Sequence, residues 1–291
     1  MSLRAHAASI FPLLGCCLFF CAHTSSENAR APQAAHYRLT WSDEFSGPEG
    51  SAPEASRWTR ELGVSKNGWG NHELESYTDR AVNSQIRDGH LVITATKEKF
   101  VGADGVEMEY TSARLKTQRK FSQAYGRFEA RIKIPKGPGM WPAFWMLGAD
   151  ISKVGWPQCG EIDIMENIGN EPGTVHGSLH GPSSVPSRKP GIATSDLTKT
   201  FALSPDQKFA DDFHVYAVEW EPAAVRFYVD STLYATFHKA DWPPGGAWVF
   251  DHPFFIILNV AVGGDWPGPP DKRTKFPQRM LVDYVRAYEQ Q

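Results

Sequence analysis

The segment Glu161–Glu166 constrains this chain more than any other, because it places three carboxylates within six residues and separates them with apolar side chains. Read as a strand with a period of two, Glu161 and Asp163 share one face and the two isoleucines share the other. Regular alternation would next place Met165 beside the acids, but one extra residue, a β-bulge, would return Glu166 to the face of Glu161. A face with three ionisable acids cannot be a dry core face, since each buried charge would need a partner. The segment therefore predicts a strand whose acidic face lines water or a ligand.

Aromatic residues near this segment decide between two interpretations of it. The first is the solvated face of an edge strand, where most acidic strand residues lie. The second is hydrolysis of a glycosidic bond, in which one carboxylate attacks while another delivers a proton. Trp141, Trp145 and Trp156 precede the acids at short distance in the sequence. Sugar rings present apolar C–H faces that stack on aromatic rings, so the combination favours a carbohydrate-binding cleft.

The acidic segment resembles the catalytic signature E-[ILV]-D-[IVAF]-(M)-E of glycoside hydrolase family 16, in the bulged form typical of laminarinase-like β-1,3-glucanases. Three further segments are similar to the glucanase branch of that family, and the resemblance covers roughly residues 37–289, which is nearly the whole chain after the leader. These segments read G-W-G-N at 68–71, V-H-G-x-x-H-G at 175–181 and V-G-G-D-W-P-G at 262–268. The chain departs from the family at His72, Glu75 and Ser76, where Asn, Gln and Tyr are frequent.

The resemblance implies roles for individual residues. Glu161 would be the nucleophile, Glu166 the acid/base and Asp163 the supporting acid between them. A retaining mechanism needs the two carboxyls about 5–5.5 Å apart, whereas residues four or five apart on a flat strand have Cα atoms roughly 13 Å apart. A curved, bulged strand with two long side chains leaning together would close that gap. The predicted substrate-binding residues are Trp141, Trp145, Trp156, Asn71, Arg114 and His180.

Short alternating stretches with frequent turn signals predict an all-β sandwich. Residues 125–134 alternate apolar and charged side chains, and Asp88-Gly89 stands between two alternating runs as a hairpin turn. Residues 182–211 are rich in Pro, Ser, Lys and Gly, which predicts a long loop over the sheet. The resemblance implies a concanavalin-like jelly roll of two bent antiparallel sheets, with the substrate across the concave face.

The first residues read as a targeting segment. Residues 1–23 combine a weakly basic start with an apolar run too short to span a membrane, which predicts a signal peptide and a secreted or periplasmic protein. The alternative is a lipoprotein anchored through Cys16, because residues 13–16 resemble a bacterial lipobox. Residues 24–36 would form a polar linker, and residues 37–291 the catalytic domain.

The net charge and the positions of the cysteines limit the partners, disulfides and ions that this protein can have. A net charge of −3 with mixed signs argues against nucleic acid as a partner. Cys159 is the one cysteine after the leader, so the catalytic domain has no intramolecular disulfide, and we expect a buried thiol in a monomer. The resemblance implies no cofactor for catalysis. It also implies a structural calcium ion, for which Glu44, the carbonyl of Gly89 and Asp283 are the candidate ligands.

These observations predict a retaining endo-hydrolase of β-1,3-glucan, with mixed-linkage β-1,3-1,4-glucan as a second substrate. Two alternatives stay open. The same signature serves hydrolases of other polysaccharides such as galactans, and transglycosylases. The fold also serves non-catalytic β-glucan-binding proteins, which typically lack the catalytic glutamates that this sequence retains.

Overall fold

Two β-sheets with a shared apolar core make up the part of the chain that the computed structural model describes, residues 36–185 and 194–291. In those residues the strands are β1 Tyr37–Asp43, β2 Thr59–Arg60, β3 Glu75–Tyr77, β4 Ser84–Arg87, β5 His90–Val101, β6 Glu107–Ser112, β7 Arg114–Lys116, β8 Gly126–Lys133, β9 Met140–Gly148, β10 Glu161–Glu166, β11 Thr174–Pro182, β12 Thr194–Ala202, β13 His214–Glu221, β14 Ala224–Val229, β15 Thr232–His238, β16 Phe254–Val262 and β17 Gln278–Gln290. The short α-helix α1 Ile151–Val154 and helical turns at Gly68–His72 and Lys239–Asp241 connect some of them.

The order of the strands confirms the predicted all-β sandwich. One sheet has the order β15-β14-β13-β8-β17-β5-β6-β3, with β1 beside β17 and β4 beside β5. The other has the order β12-β11-β10-β9-β16-β7-β2 and contains the acidic strand β10 near its middle. All described strand pairs are antiparallel except β3 with β6. Strand β17 pairs with β1, β5 and β8, so the last strand in sequence lies in the interior of its sheet.

Alternating side chains build the core between the sheets. In β8, Phe128, Ala130 and Ile132 are buried in the core while the charged residues between them face outward, as the alternation predicts. Every residue of β16 is buried, because alternate side chains enter the main core and a smaller cluster on the opposite face. The hairpin predicted at Asp88-Gly89 joins β4 to β5 as expected. Both turn residues have positive φ, 50° and 72°, which is where Asp and Gly are favoured.

The prediction of a loop at residues 182–211 is wrong in its central part, where strand β12 extends the seven-stranded sheet. Strand β12 pairs with β11 residue by residue from Thr174↔Ala202 to Pro182↔Thr194. It is a polar edge strand: Ser195 is its one buried residue and most of the others are exposed. A strand with so little buried apolar surface has no hydrophobic alternation to detect, and edge strands are commonly polar for this reason.

Several predictions concern residues outside the described ranges. The leader at 1–23 and nearly all of the linker at 24–36 belong to this group, and so does Cys16. Among the described residues, no helix has the length and apolar character needed to cross a membrane.

Candidate active site

The acidic strand opens onto a cleft of about 1080 Å³ on the outer face of the seven-stranded sheet. Side chains from β7, β9, β10, β11, β12 and β16 line it, together with the turn at Gly68–His72 and the loop after β16. The cleft brings together all three predicted acids and all six predicted binding residues: Glu161, Asp163, Glu166, Asn71, Arg114, Trp141, Trp145, Trp156 and His180.

A β-bulge places the three acids on one face, as the sequence predicts. The pairing of β10 with β9 shifts register by one residue between Asp163 and Met165. Ile164 and Met165 are consecutive in sequence, yet both are buried in the core between the sheets. Glu166 therefore returns to the cleft side, and the strand presents two adjacent residues to the core where a flat strand would present one.

Each of the two glutamates of strand β10 accepts a hydrogen bond from an indole N–H. Trp156 Nε1 donates to Glu161 Oε2 at 2.7 Å, and Trp141 Nε1 donates to Glu166 Oε1 at 3.0 Å. These contacts place both tryptophans in the cleft rather than in the core. A hydrogen bond donated to a carboxylate favours its charged form, and it also fixes the direction in which the carboxyl points.

Asp163 and Asp196 hold His180 between them. The His180 Nε2 atom lies 2.9 Å from Asp163 Oδ2, and its Nδ1 atom lies 2.7 Å from Asp196 Oδ1. One oxygen of Glu161 is also close, since the nearest ligand-type atoms of Glu161, Asp163 and His180 all lie within 4.8 Å of one another. Asp163 of the acidic strand is thus linked through a histidine of the neighbouring strand β11 to an aspartate of β12.

The surroundings of Glu161 and His180 raise the pKa values of both groups. Burial raises the pKa of Glu161 well above its usual value, the charges of Asp163 and Glu166 raise it further, and His180 opposes them. Burial alone would lower the pKa of His180, but its hydrogen bonds with Asp163 and Asp196 outweigh this and raise it well above the ordinary value. The two aspartates thus favour the imidazolium form of His180, whose positive charge helps Glu161 to ionise.

Trp145 and Arg114 form the wall of the cleft on the β7 side. The Trp145 indole donates to Asn259 Oδ1 at 2.7 Å, and the Arg114 guanidinium lies 4.8 Å from the Trp145 ring centroid. Arg114 also donates from Nε to Glu61 Oε2 at 2.6 Å and covers the Trp69 ring at 4.5 Å. Its charge is thus paired with Glu61, and its planar face holds two indole rings in place.

Trp266, Asp196 and Glu73 are among the cleft residues that the sequence analysis did not select. Trp266 is 40% exposed at the cleft rim, 5.5 Å from the Trp141 ring and 4.8 Å from the ring of His176. The sequence could have indicated Trp266 as a cleft residue, because it stands in the V-G-G-D-W-P-G segment directly after a buried strand. The sequence did not indicate Asp196 as a site residue, because it lies on β12, the polar strand that was predicted to be a loop. Glu73 was not selected either, although it forms a pair of acids with Glu75 shortly after the G-W-G-N segment.

The proposed calcium ligands are engaged in ion pairs. Glu44 accepts hydrogen bonds from Arg286 at 3.0 and 2.8 Å, and Asp283 accepts one from Arg131 at 2.8 Å. Calcium needs several oxygen ligands whose negative charge is free for the ion. A donor set in which each carboxylate is paired with an arginine does not fit calcium as it stands.

Cys159 is buried directly before the acidic strand. Burial raises the pKa of its thiol to about 12, and the charges of Glu161 and Asp150 contribute in the same direction. The thiol is therefore protonated at neutral pH and is a poor nucleophile, which agrees with the structural role expected from the sequence.

Residues 71–286 match the protein family described as glycosyl hydrolases family 16. The beta-glucanase of Rhodothermus marinus is 38% identical, over 98% of this chain and 94% of that protein. Among solved structures, the laminarinase catalytic domain of Thermotoga maritima superposes with a TM-score of 0.78 at 45% identity, covering 88% of this chain and 99% of that one. The endo-β-1,3-glucanase of Pyrococcus furiosus gives 0.79 at 46% identity, covering 88% and 96%.

Proposed function

This chain belongs to the glycosyl hydrolases of family 16, and we propose that it cleaves β-1,3-glucan chains internally, by double displacement with retention of anomeric configuration. The observation that carries this proposal is the pair of glutamates on one face of β10, each held by an indole N–H in a cleft lined with tryptophan. The relatives named above are glucanases and laminarinases, which favours β-1,3-glucan as the substrate. Mixed-linkage β-1,3-1,4-glucan is the second substrate that we propose.

In the first step we assign attack to Glu161 and proton delivery to Glu166. A Glu161 carboxylate oxygen forms a bond to the anomeric carbon while the bond from that carbon to the glycosidic oxygen breaks. The departing oxygen takes the Glu166 proton, so a neutral sugar hydroxyl leaves and Glu166 becomes a carboxylate. Asp163 lies between the two glutamates and contacts His180, and this contact supports the charge balance of the site.

In the second step the roles of Glu166 are reversed. Its carboxylate removes a proton from a water molecule, the water oxygen bonds to the anomeric carbon, and the bond to Glu161 breaks. The sugar leaves with its original configuration and both glutamates return to their starting protonation states. The Trp141 indole, donating to Glu166 at 3.0 Å, keeps this carboxyl directed into the cleft between the two steps.

Stereochemistry gives the direct test of this mechanism. We expect the β-anomer to appear first when the enzyme cleaves a β-1,3-glucan oligosaccharide, because two displacements at one carbon restore the configuration. Proton NMR of the first products, recorded before mutarotation, measures this. Early α-anomer would exclude the double displacement and with it the assignment of Glu161 as nucleophile.

A panel of polysaccharides separates the competing functions. Release of reducing ends is expected from laminarin and curdlan, and more weakly from lichenan, with none from agarose. Strong activity on agarose would favour the galactanase alternative. Oligosaccharides longer than the starting material would indicate a transglycosylase. Binding of laminarin without any cleavage would identify a non-catalytic glucan-binding protein.

The charge on His180 predicts the pH dependence of the reaction. Glu161 must be ionised to attack, so kcat/KM falls as the pH drops through the pKa of Glu161. His180→Gln removes the nearby positive charge and raises that pKa further, so the acid limb of the kcat/KM profile should move to higher pH. A profile measured on laminarin across the acid range checks this.

His176→Gln is the matched control for this variant. His176 also lines the cleft from β11, but its Nε2 atom pairs with Glu171 at 3.1 Å and its ring contacts Trp266. The acid limb should keep its position in this control, whatever happens to KM. A shift to lower pH in His180→Gln would contradict the electrostatic role given to His180.

We further propose that the enzyme is exported and acts as a monomer. The leader at residues 1–23 supports secretion or a periplasmic location, with the lipoprotein anchored through Cys16 as the alternative. Residues 37–291 would form the catalytic domain, joined to the leader by the polar linker at 24–36.

A further inference from the structure

Two buried acids lie behind the cleft wall and take no part in the mechanism above. Glu73 and Glu75 flank Leu74, where the turn at Gly68–His72 leads into strand β3. Glu73 is 6% exposed and borders the cleft, while Glu75 is fully buried. Two carboxylates so close together in a dry site cannot both be charged without a compensating cation.

The hydrogen bonds identify which acid carries the proton. Glu75 Oε2 accepts the backbone N–H of Val262 at 2.6 Å, whereas Glu75 Oε1 is buried and accepts a hydrogen bond from no donor in the described residues. Burial, the charge of Glu73 and a side-chain hydrogen bond with Glu73 together raise the pKa of Glu75, so the unpartnered oxygen is the place for a proton that Glu73 can accept. Glu73 in turn accepts a hydrogen bond from the Tyr77 hydroxyl at 3.0 Å and lies 3.5 Å from Asn71 Nδ2. Donors thus converge on Glu73, and the oxygen without a donor belongs to Glu75.

Both acids are anchored to segments that shape one end of the cleft. Glu75 holds Val262, which directly precedes the Gly263–Gly264 turn and the rim residue Trp266. The same two segments also meet through the backbone, where Leu74 N–H donates to the Val262 carbonyl at 2.8 Å. On the Glu73 side, the contact with Asn71 reaches a residue that lines the cleft.

We propose that Glu75 is a positioning residue that stays neutral in the working enzyme and donates its single proton to Glu73, and that this hydrogen bond holds the 68–73 and 262–266 segments together at the cleft. This proposal rests on the glucanase function given above. Loss of the proton would place two like charges in a buried site, and separation of the two segments would relieve the repulsion. Substrate binding would then weaken, because Asn71 and Trp266 lie on the segments that separate.

The charged and titratable groups around the pair support this assignment. Burial raises the pKa of Glu75 well above its usual value, and the charge on Glu73 adds to the effect. Tyr77 keeps its proton, because burial raises its pKa as well. On β7, Arg114 and Lys116 share the Glu61 carboxylate at 2.6 and 2.5 Å, and Arg114 lowers the pKa of Tyr77. Neither cation is among the main groups that shift the pKa of Glu75.

The outer side of the turn carries one further pair of charged groups. There His72 Nδ1 lies 3.0 Å from Asp265 Oδ1, and both side chains are largely exposed. This pair is screened by water and joins the same two segments from outside. It therefore supplies no cation to the buried acids.

Glu75→Gln isolates the effect of the proton. A glutamine amide can donate to Glu73 at every pH, so the variant keeps the hydrogen bond and removes the titration. Glu129→Gln is the matched control, since Glu129 is 8% exposed in the other sheet but accepts a hydrogen bond from Arg127 at 2.9 Å.

Infrared difference spectroscopy tests the protonation state without using activity. The wild-type spectrum at neutral pH minus that of Glu75→Gln should contain the C=O band of a protonated carboxylic acid. The corresponding difference for Glu129→Gln should contain carboxylate bands instead. Carboxylate bands in the Glu75 difference would overturn the proposal. Glu73→Gln is a second variant, in which the acid band should persist but change frequency, because burial still favours the neutral Glu75 while its hydrogen-bond acceptor becomes an amide.

Ligand binding tests the positioning role. In the Glu166→Gln background, where the acid/base no longer titrates, affinity for a β-1,3-glucan oligosaccharide should fall as pH rises through the pKa of Glu75. The fall approaches about tenfold per pH unit if the ionised form does not bind. Calorimetry on Glu166→Gln/Glu75→Gln should show this fall removed. An unchanged pH dependence would refute the positioning role. Absence of binding at every pH in both proteins, with the acid band present, would instead refute the glucanase function.

Discussion

Replacing Glu161 by glutamine is expected to lower kcat on laminarin by at least about a thousandfold, because no other group can form the bond to the anomeric carbon. The circular dichroism spectrum should be unchanged, since glutamine has the shape of the glutamate and the Trp156 indole can still donate to its amide oxygen. Activity within about tenfold of wild type would reject the assigned role.

Glu166→Gln is expected to lose a similar factor on polysaccharides, but the two variants should differ on one substrate. That substrate is an aryl glycoside of a β-glucan oligosaccharide whose phenol is acidic enough to leave as the phenolate, without a proton from Glu166. Glu166→Gln should therefore still release one equivalent of phenol in a burst. Glu161→Gln should give no burst. Glu109→Gln, an exposed acid that pairs with Lys99 on the other sheet, should match wild type in both assays. A burst from Glu161→Gln without one from Glu166→Gln would show that the two roles are interchanged.

Gly148→Ala is expected to destabilise the protein by about 1–3 kcal/mol and to reduce activity as well. A Cβ at Gly148, the last residue of β9, would lie 2.0 Å from the Cys159 carbonyl oxygen and 2.6 Å from His252 Nε2. The nearest obstacle is backbone, so the strand end or the Cys159–Gly160 turn must move. That turn leads directly into Glu161, and displacement there would misplace the nucleophile.

Thermal unfolding and kcat on laminarin measure the two effects together. Gly47→Ala is the matched control, because a Cβ there would approach no atom closer than the Ser51 hydroxyl at 3.2 Å. That variant should unfold at nearly the wild-type temperature. Equal melting temperatures for Gly148→Ala and Gly47→Ala would show that the contact between β9 and the turn is not tight.

The acidic strand and its bulge were predictable because the buried side chains of a strand recur at every second residue, and this spacing is visible in the sequence. Ile164 and Met165 interrupt the alternation where the structure has its extra residue, and the position of Glu166 follows. Trp145 was a candidate because it precedes the acids at short distance, but that proximity does not decide whether its ring lies in the core or in the cleft. That choice depends on Asn259 and Arg114, which come from strands distant in sequence.

Most of the features that the sequence analysis missed are polar, and these polar side chains leave no regular pattern in the sequence. Strand β12 buries little, so its composition resembles that of a loop, and Asp196 was missed with it. Arg114 looked like a free sugar ligand because its partner Glu61 lies 53 residues earlier in the chain. The contact between Glu73 and Glu75 lies within one short segment, yet a sequence pattern does not reveal that both side chains turn into the same dry site.

The place of β17 in its sheet bears on when the chain can fold. Residues 278–290 pair with β1, β5 and β8, three strands that the ribosome completes earlier. Until β17 has emerged, those strands lack their common neighbour and the apolar faces beneath them stay uncovered. Sheets closed by such distant pairings form slowly, since the intervening chain must first be ordered. We therefore expect this sheet to complete its folding only after residues 278–290 have left the ribosome.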